Sequence, residues 1–181
     1  MAHKIKYQIK NIVAVTSTDE KLDLDLIKKI LPNVHHDPKK YNGLVYKISD
    51  PKVTVLLNWS GKIIIVGGKS IKSTTQARNI FYEDIKKLGY HPQKNNISIK
   101  NIVLLANIET ELDLKKIFES NISTNLELEY EMEIFPGLIF KNKEPKFGAV
   151  IFKTGKIMIA GLKKMDDIVE SIECIQNILK I

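Results

Sequence analysis

An α+β fold made of two pseudo-symmetric repeats is what the sequence predicts, and three observations carry it. The chain repeats itself, its strand segments are apolar at both alternating positions, and helical periodicity is confined to two stretches per repeat. Ile9-Lys10-Asn11-Ile12-Val13 recurs as Ile99-Lys100-Asn101-Ile102-Val103, and Leu22-Asp23-Leu24 recurs as Leu112-Asp113-Leu114. The register then moves by four residues. Tyr41-Asn42-Gly43-Leu44-Val45-Tyr46-Lys47 matches Phe135-Pro136-Gly137-Leu138-Ile139-Phe140-Lys141, Pro51 matches Pro145, and Gly61-Lys62-Ile63 matches Gly155-Lys156-Ile157. Chance does not conserve Gly, Pro and Lys spacing in this way, so residues 1–93 and 94–181 are expected to be two copies of one unit, with a short insertion between about 120 and 134 in the second.

Each copy opens on a β-branched strand (Ile9 to Thr16; Ile99 to Ile108), followed by a short helix that begins at Leu-Asp-Leu (about 23–31; 113–120). Strands are expected near 42–48, 53–59 and 62–67, and near 136–141, 147–153 and 156–161, with Pro51 and Pro145 in the turns between them. A longer helix closes each copy. Ser70 or Ser73 caps the first, which stops at Gly89; Ile168, Ile172, Ile175 and Leu179 form one apolar stripe on the second.

The 181 residues carry a formal charge of +7, unevenly spread. Residues 1–90 hold 16 basic and 8 acidic side chains, a balance of +8, whereas residues 91–181 hold 12 and 13, a balance of −1. The basic half suits a polyanion and the other half a different partner. A single cysteine, Cys174, excludes an internal disulfide and a cysteine zinc site, and it is expected to be a buried helix residue. No apolar run is long enough to span a membrane and the N-terminus has no export signal, so an intracellular protein is expected.

Catalytic patterns are weak. Gly67-Gly68-Lys69-Ser70 resembles the end of a phosphate loop, but Ile63 stands where the earlier glycine is required. His35 and His36 have no further ligands at metal spacing, and no nucleophile, base and acid are arranged for catalysis. The reading is a binding protein, with no enzymatic activity, cofactor or metal.

Strands such as 62–66 and 149–152 want cover on both faces, and two helices per repeat cover only one. The uncovered face is expected to bind something, and it could also self-associate when empty. Asn11-Ile12-Val13, Phe135-Pro136-Gly137-Leu138-Ile139, the Glu-Pro-Lys at 144–146 and the Ile-Phe-x-x-Gly-Lys at 151–156 identify the covering partner by likeness. This duplicated pattern resembles the TATA-box-binding protein family, closest to its archaeal form, over nearly the whole chain.

The resemblance implies a ten-stranded antiparallel saddle with helices on the convex face and an A·T-rich minor groove against the concave one. The family is itself a reference case for wedge insertion and kinking in that groove. It implies a general transcription factor that bends promoter DNA and recruits transcription factor B and RNA polymerase, in cytoplasm and nucleoid if archaeal and in the nucleus if eukaryotic. The alternative is a saddle that has lost TATA specificity and serves as a protein-binding or regulatory module.

Position by position, the likeness gives Asn11 and Asn101 the central polar role and lines the floor with Val13, Leu56, Ile64, Val103, Val150 and Met158. Phe135 and Phe152 are the wedges of the second repeat. In the first, Tyr41 stands at one wedge position and Asn58 at the other, with Trp59 beside it; alternation points Trp59 to the helix side as a core or rim aromatic, and a local bulge would turn it toward the DNA instead. Val66 and Ala160 replace the family's groove-facing threonines, which thins the polar readout. Lys40, Lys47, Lys52, Lys62, Lys141, Lys146 and Lys156 are expected at phosphates, and Lys69, Lys72 and Arg78 offer a second basic surface. Glu131, Glu133 and Ile134 resemble the stirrup on which transcription factor B docks; without the likeness, the alternating Glu127, Glu129, Glu131 and Glu133 would be a wet strand face.

Overall fold

The computed structural model describes residues 5–39, 41–121 and 126–180, so Lys40 and part of the expected insertion lie outside the described residues. Ten strands are β1 (Lys6–Ser17), β2 (Val34–His35), β3 (Leu44–Ile48), β4 (Val53–Leu57), β5 (Lys62–Gly68), β6 (Ser98–Asn107), β7 (Glu127–Glu129), β8 (Gly137–Asn142), β9 (Phe147–Phe152) and β10 (Lys156–Leu162). The helices described are α1 (Leu24–Ile30), α2 (Ile71–Lys86), α3 (Leu114–Asn121) and α4 (Asp166–Leu179). The strands form a ten-stranded antiparallel sheet in the order β2-β3-β4-β5-β1-β6-β10-β9-β8-β7. The expected class is therefore found, together with two short edge strands, β2 and β7, that propensity did not single out. By packing, the chain divides into a first unit from Asn11 to Lys100 and a second from Asn101 onward, joined by the chain up to Lys10.

In the first unit Asp23 caps α1, its Oδ1 accepting from the Leu26 N–H at 2.9 Å, and Ser70 and Ser73 form a reciprocal capping box on α2. The repeated Leu-Asp-Leu is thus a helix-start signal, and Asp113 Oδ1 likewise accepts from the Lys116 N–H at 3.0 Å. Helix α2 lies against β4 and β5 and buries Ala77, Phe81, Tyr82 and Ile85 on Val55, Leu57, Ile63 and Ile65. Tyr46 donates to Asp84 Oδ2 at 2.6 Å, tying β3 to α2; burial drives the Tyr46 phenol well above its usual range, with Asp84 adding to the effect.

The Gly-Gly-Lys-Ser run serves packing instead of phosphate. A Cβ on Gly68 would strike the Thr74 hydroxyl, so glycine lets β5 pass close under α2. In the second unit α4 buries Ile168, Ser171, Ile175, Ile178 and Leu179, while Ile172 is half-buried, so the apolar stripe is wider than the expected one and shifted toward Ile178. Cys174 is half-buried, not fully buried as expected, and burial pushes its thiol up.

Burial alternates along most of each central strand and breaks at Gly67 and Gly161. On β5 Ile63 and Ile65 are fully buried while Ile64 and Val66 are half-exposed, and on β10 Ile157 and Ile159 are buried while Met158 is 46% exposed. Helices cover one face of each five-stranded unit. The other face, apolar and uncovered, is the surface to explain.

Candidate nucleic-acid interface

Strand register sorts the exposed side chains of the first unit into rows. Val45 lies opposite Leu56, Leu56 opposite Ile64 and Ile64 opposite Val15; the next row is Lys47, Thr54, Val66 and Val13. The second unit repeats both rows, as Ile139, Val150, Met158 and Leu105, then Lys141, Gly148, Ala160 and Val103. All eight expected apolar positions fall in these rows. Val15, Val45, Leu105 and Ile139 were missed, although alternation from Val13 and the repeat offset from Val45 point to them.

Asn11 and Asn101 sit at matching sites where the ladder is broken. The pairing of β1 with β5 skips Gly67, and that of β6 with β10 skips Gly161; these glycines have φ of +100° and +101°. Each is a β-bulge in a conformation that glycine adopts without penalty. The amide that the bulge leaves without a ladder partner is taken up by asparagine. Gly67 N–H donates to Asn11 Oδ1 at 2.8 Å, and Gly161 N–H donates to Asn101 Oδ1 at 2.8 Å. Because a backbone N–H can only donate, the accepting atom must be the carboxamide oxygen, which leaves each Nδ2 as the outward donor. Both side chains are half-exposed on the uncovered face.

The ends of the two units differ. Phe135 and Phe152 are partnered, ring centroids 6.1 Å apart, and Phe135 is 37% exposed. Gly137 makes room for them, since a Cβ there would lie 2.8 Å from both the Phe135 ring and Val150. Gly43 does the same for Tyr41, whose phenol is raised by burial. Asn58 is committed to the β4–β5 turn, its Oδ1 accepting from the Ser60 N–H at 3.0 Å. Trp59 is a rim aromatic and not a core one: it is 58% exposed in that turn, with Lys21 Nζ 5.8 Å from the ring centroid.

Lysine placement is also unequal. Lys47, Lys52 and Lys69 border a hollow of about 720 Å³ in the first unit, and Lys62 and Lys156 are exposed at the starts of β5 and β10. Lys146 is exposed as well, but Lys141 pairs with Glu129 at 2.6 Å, which raises the ammonium above its usual range. Arg78 departs from the expected second basic surface. Its guanidinium is engaged by the Asn95 carbonyl at 2.7 Å and by Asn79, and it lies over the Tyr82 ring.

The alternating glutamates split into two groups. Glu127 and Glu129 are on β7, paired with Lys143 and Lys141, whereas Glu131 and Glu133 leave the strand for a turn closed by the Glu131 carbonyl, which accepts from the Ile134 and Phe135 N–H groups. Beside them Met132 is 65% and Ile134 79% exposed. A groove of about 630 Å³ runs alongside, lined by Glu111, Asp113, Lys115, Tyr130, Met132 and Pro136 among others.

The profile of the family described as "Transcription factor TFIID (or TATA-binding protein, TBP)" matches residues 6–88 and 96–181. The chain belongs to the TATA-binding protein family. It is 37% identical to the TATA-box-binding protein of Pyrodictium occultum and 35% identical to that of Sulfolobus acidocaldarius, covering 95% and 94% of this chain and 85% of each relative. Among solved structures it is similar to Methanococcus jannaschii TBP, with a TM-score of 0.85, 32% identity, and 97% of this chain and 98% of that one covered. Like the rest of the TATA-binding protein family, it is a transcription factor and not an enzyme. No described helix is long and apolar enough to cross a membrane.

Proposed function

We propose that the uncovered faces of both repeats bind and bend A·T-rich promoter DNA through its minor groove, and that the protein recruits transcription factor B and, through it, RNA polymerase. What carries this reading is the pair of asparagines clamped by bulge amides. The fixed Oδ1 leaves Nδ2 to donate toward adenine N3 and thymine O2, the acceptors that an A·T pair presents in the minor groove, where guanine adds a competing donor. The apolar rows suit the sugar and base edges of an opened groove. Phe135 and Phe152 unstack a base step as wedges, a mode for which TATA-binding proteins are themselves a reference case.

Glu131, Glu133 and Ile134, with the groove beside Met132, form the surface for transcription factor B. The relatives named above are TATA-box-binding proteins, which supports the DNA-binding part of this reading.

The test compares binding to an A·T-rich and a G·C-only duplex at one salt concentration. Wild type should prefer the A·T-rich duplex. Asn101→Asp keeps the acceptor for Gly161 N–H but points a carboxylate oxygen at the groove acceptors, a change of about 3 kcal/mol, or on the order of a hundredfold in affinity. Retained affinity would place DNA on another face.

A further inference from the structure

The second unit gathers hydrogen-bond donors at one rim of its uncovered face. Tyr7 has the parity of Asn11 on β1 and so stands on that face, 48% exposed, with a hydroxyl that makes no hydrogen bond among the described residues. Asn107 shares the face at the end of β6, opposite Lys156 in register. Its Oδ1 accepts from the Glu109 N–H at 3.1 Å, which leaves Nδ2 as an uncommitted donor. Lys156 is exposed and has no acidic partner among the described residues, while the Glu109 carboxylate is held by Lys6 at 2.9 Å. Tyr7, Gln8, Leu105, Asn107 and Lys156 border one hollow of about 260 Å³. The first repeat is built differently at the matching place. By the repeat offsets its residues are Ile97, Ser17 and Lys62, with Ser17 opposite Lys62 and its Oγ accepting from the Asp19 N–H at 3.0 Å. Isoleucine there has no polar atom, and serine makes the turn bond with a much shorter side chain.

We propose that Tyr7, Asn107 and Lys156 form a phosphate subsite at the rim of the second repeat, taking one phosphodiester of the DNA backbone. This rests on the minor-groove reading above. Lys156 supplies the charge, and the Tyr7 hydroxyl and Asn107 Nδ2 donate to the non-bridging oxygens, bonds that an anionic acceptor strengthens. Donors from three strands fix where that phosphate sits, whereas a lysine alone holds it as a point charge. Phosphate contacts set register and carry no base sequence. The consequence is that the duplex is positioned on the sheet chiefly by the second repeat, because Ile97 and Ser17 offer no equivalent of this donor set.

Tyr7→Phe with Asn107→Ser tests this. The pair removes the phenol oxygen and the carboxamide but keeps an acceptor for the Glu109 N–H, as Ser17 does for Asp19 in the first repeat. Affinity for an A·T-rich duplex should fall by about tenfold. The slope of log affinity against log salt should stay the same, because neither residue carries a charge that displaces a counterion. The phosphate itself is located with single neutral methylphosphonate linkages, each placed in a self-complementary A·T-rich strand so that both halves carry it and either orientation of the protein meets it. At one linkage the substitution should cost wild type about threefold more than it costs the variant, and at the others the two should lose alike. Unchanged affinity of the variant, or equal losses at every linkage, overturns the proposal. If the double variant does not fold, Tyr7→Phe alone, which removes one exposed oxygen, carries the same comparison. Equal binding of wild type to A·T-rich and G·C-only duplexes would instead reject the interface itself, and this subsite with it.

Discussion

Asn11 and Asn101 hold the fold at two matching bulges, and in the proposed reading the same side chains also meet the DNA. A bulge twists the strand and strands an amide; the carboxamide oxygen satisfies that amide, and the bond in turn fixes which end of the side chain faces outward. The two roles separate by substitution. Asn101→Ala leaves Gly161 N–H without its acceptor and should lower stability by about 1 kcal/mol, whereas Asn101→Asp should melt close to wild type while losing DNA binding. Thermal unfolding of the two variants checks this. Equal destabilisation would mean that the bulge amide finds water as readily as the side chain.

At the scale of the element, the β4–β5 and β9–β10 turns share a backbone and differ in purpose. In each, the glycine N–H donates to the carbonyl at the turn's first residue: Gly61 to Asn58 and Gly155 to Phe152. Phe152 meets Phe135 and offers a flat wedge, while Asn58 has folded its oxygen back onto the Ser60 amide. Tyr41 is left without an aromatic partner at that position. Bending of DNA should consequently be stronger at the second repeat, because unstacking a step costs a few kcal/mol that only a wedge can supply. Fluorescence bend measurements should show Asn58→Phe increasing the angle and Phe152→Ala reducing it, and small equal changes would refute the asymmetry.

For the whole molecule, charge separates partners. Lys47, Lys52, Lys62 and Lys69 are exposed on the first repeat, whereas Glu129 and Glu127 hold Lys141 and Lys143 on the second. Glu131 and Glu133, exposed in the turn before Phe135, are better placed for a basic protein than for phosphate. Changing both to Arg should leave the binary DNA complex intact or tighter, and should weaken capture of transcription factor B by at least tenfold in a supershift on one A·T-rich probe. An undiminished ternary complex would return these glutamates to the role of solvated turn residues.

The repeat, the order of the longer elements, the cap at Ser70 and the apolar character of the central strands were legible in the chain, because all are local or periodic properties. Side-chain alternation and the repeat offset even held the missed positions Val45 and Ile139. What tertiary structure alone decided was pairing. The bulges at Gly67 and Gly161, the capture of their amides by asparagine and the end of β7 before Glu131 all depend on which residue lies opposite which. That register is set by long-range contacts between strands, and a one-residue slip would exchange the buried and exposed faces.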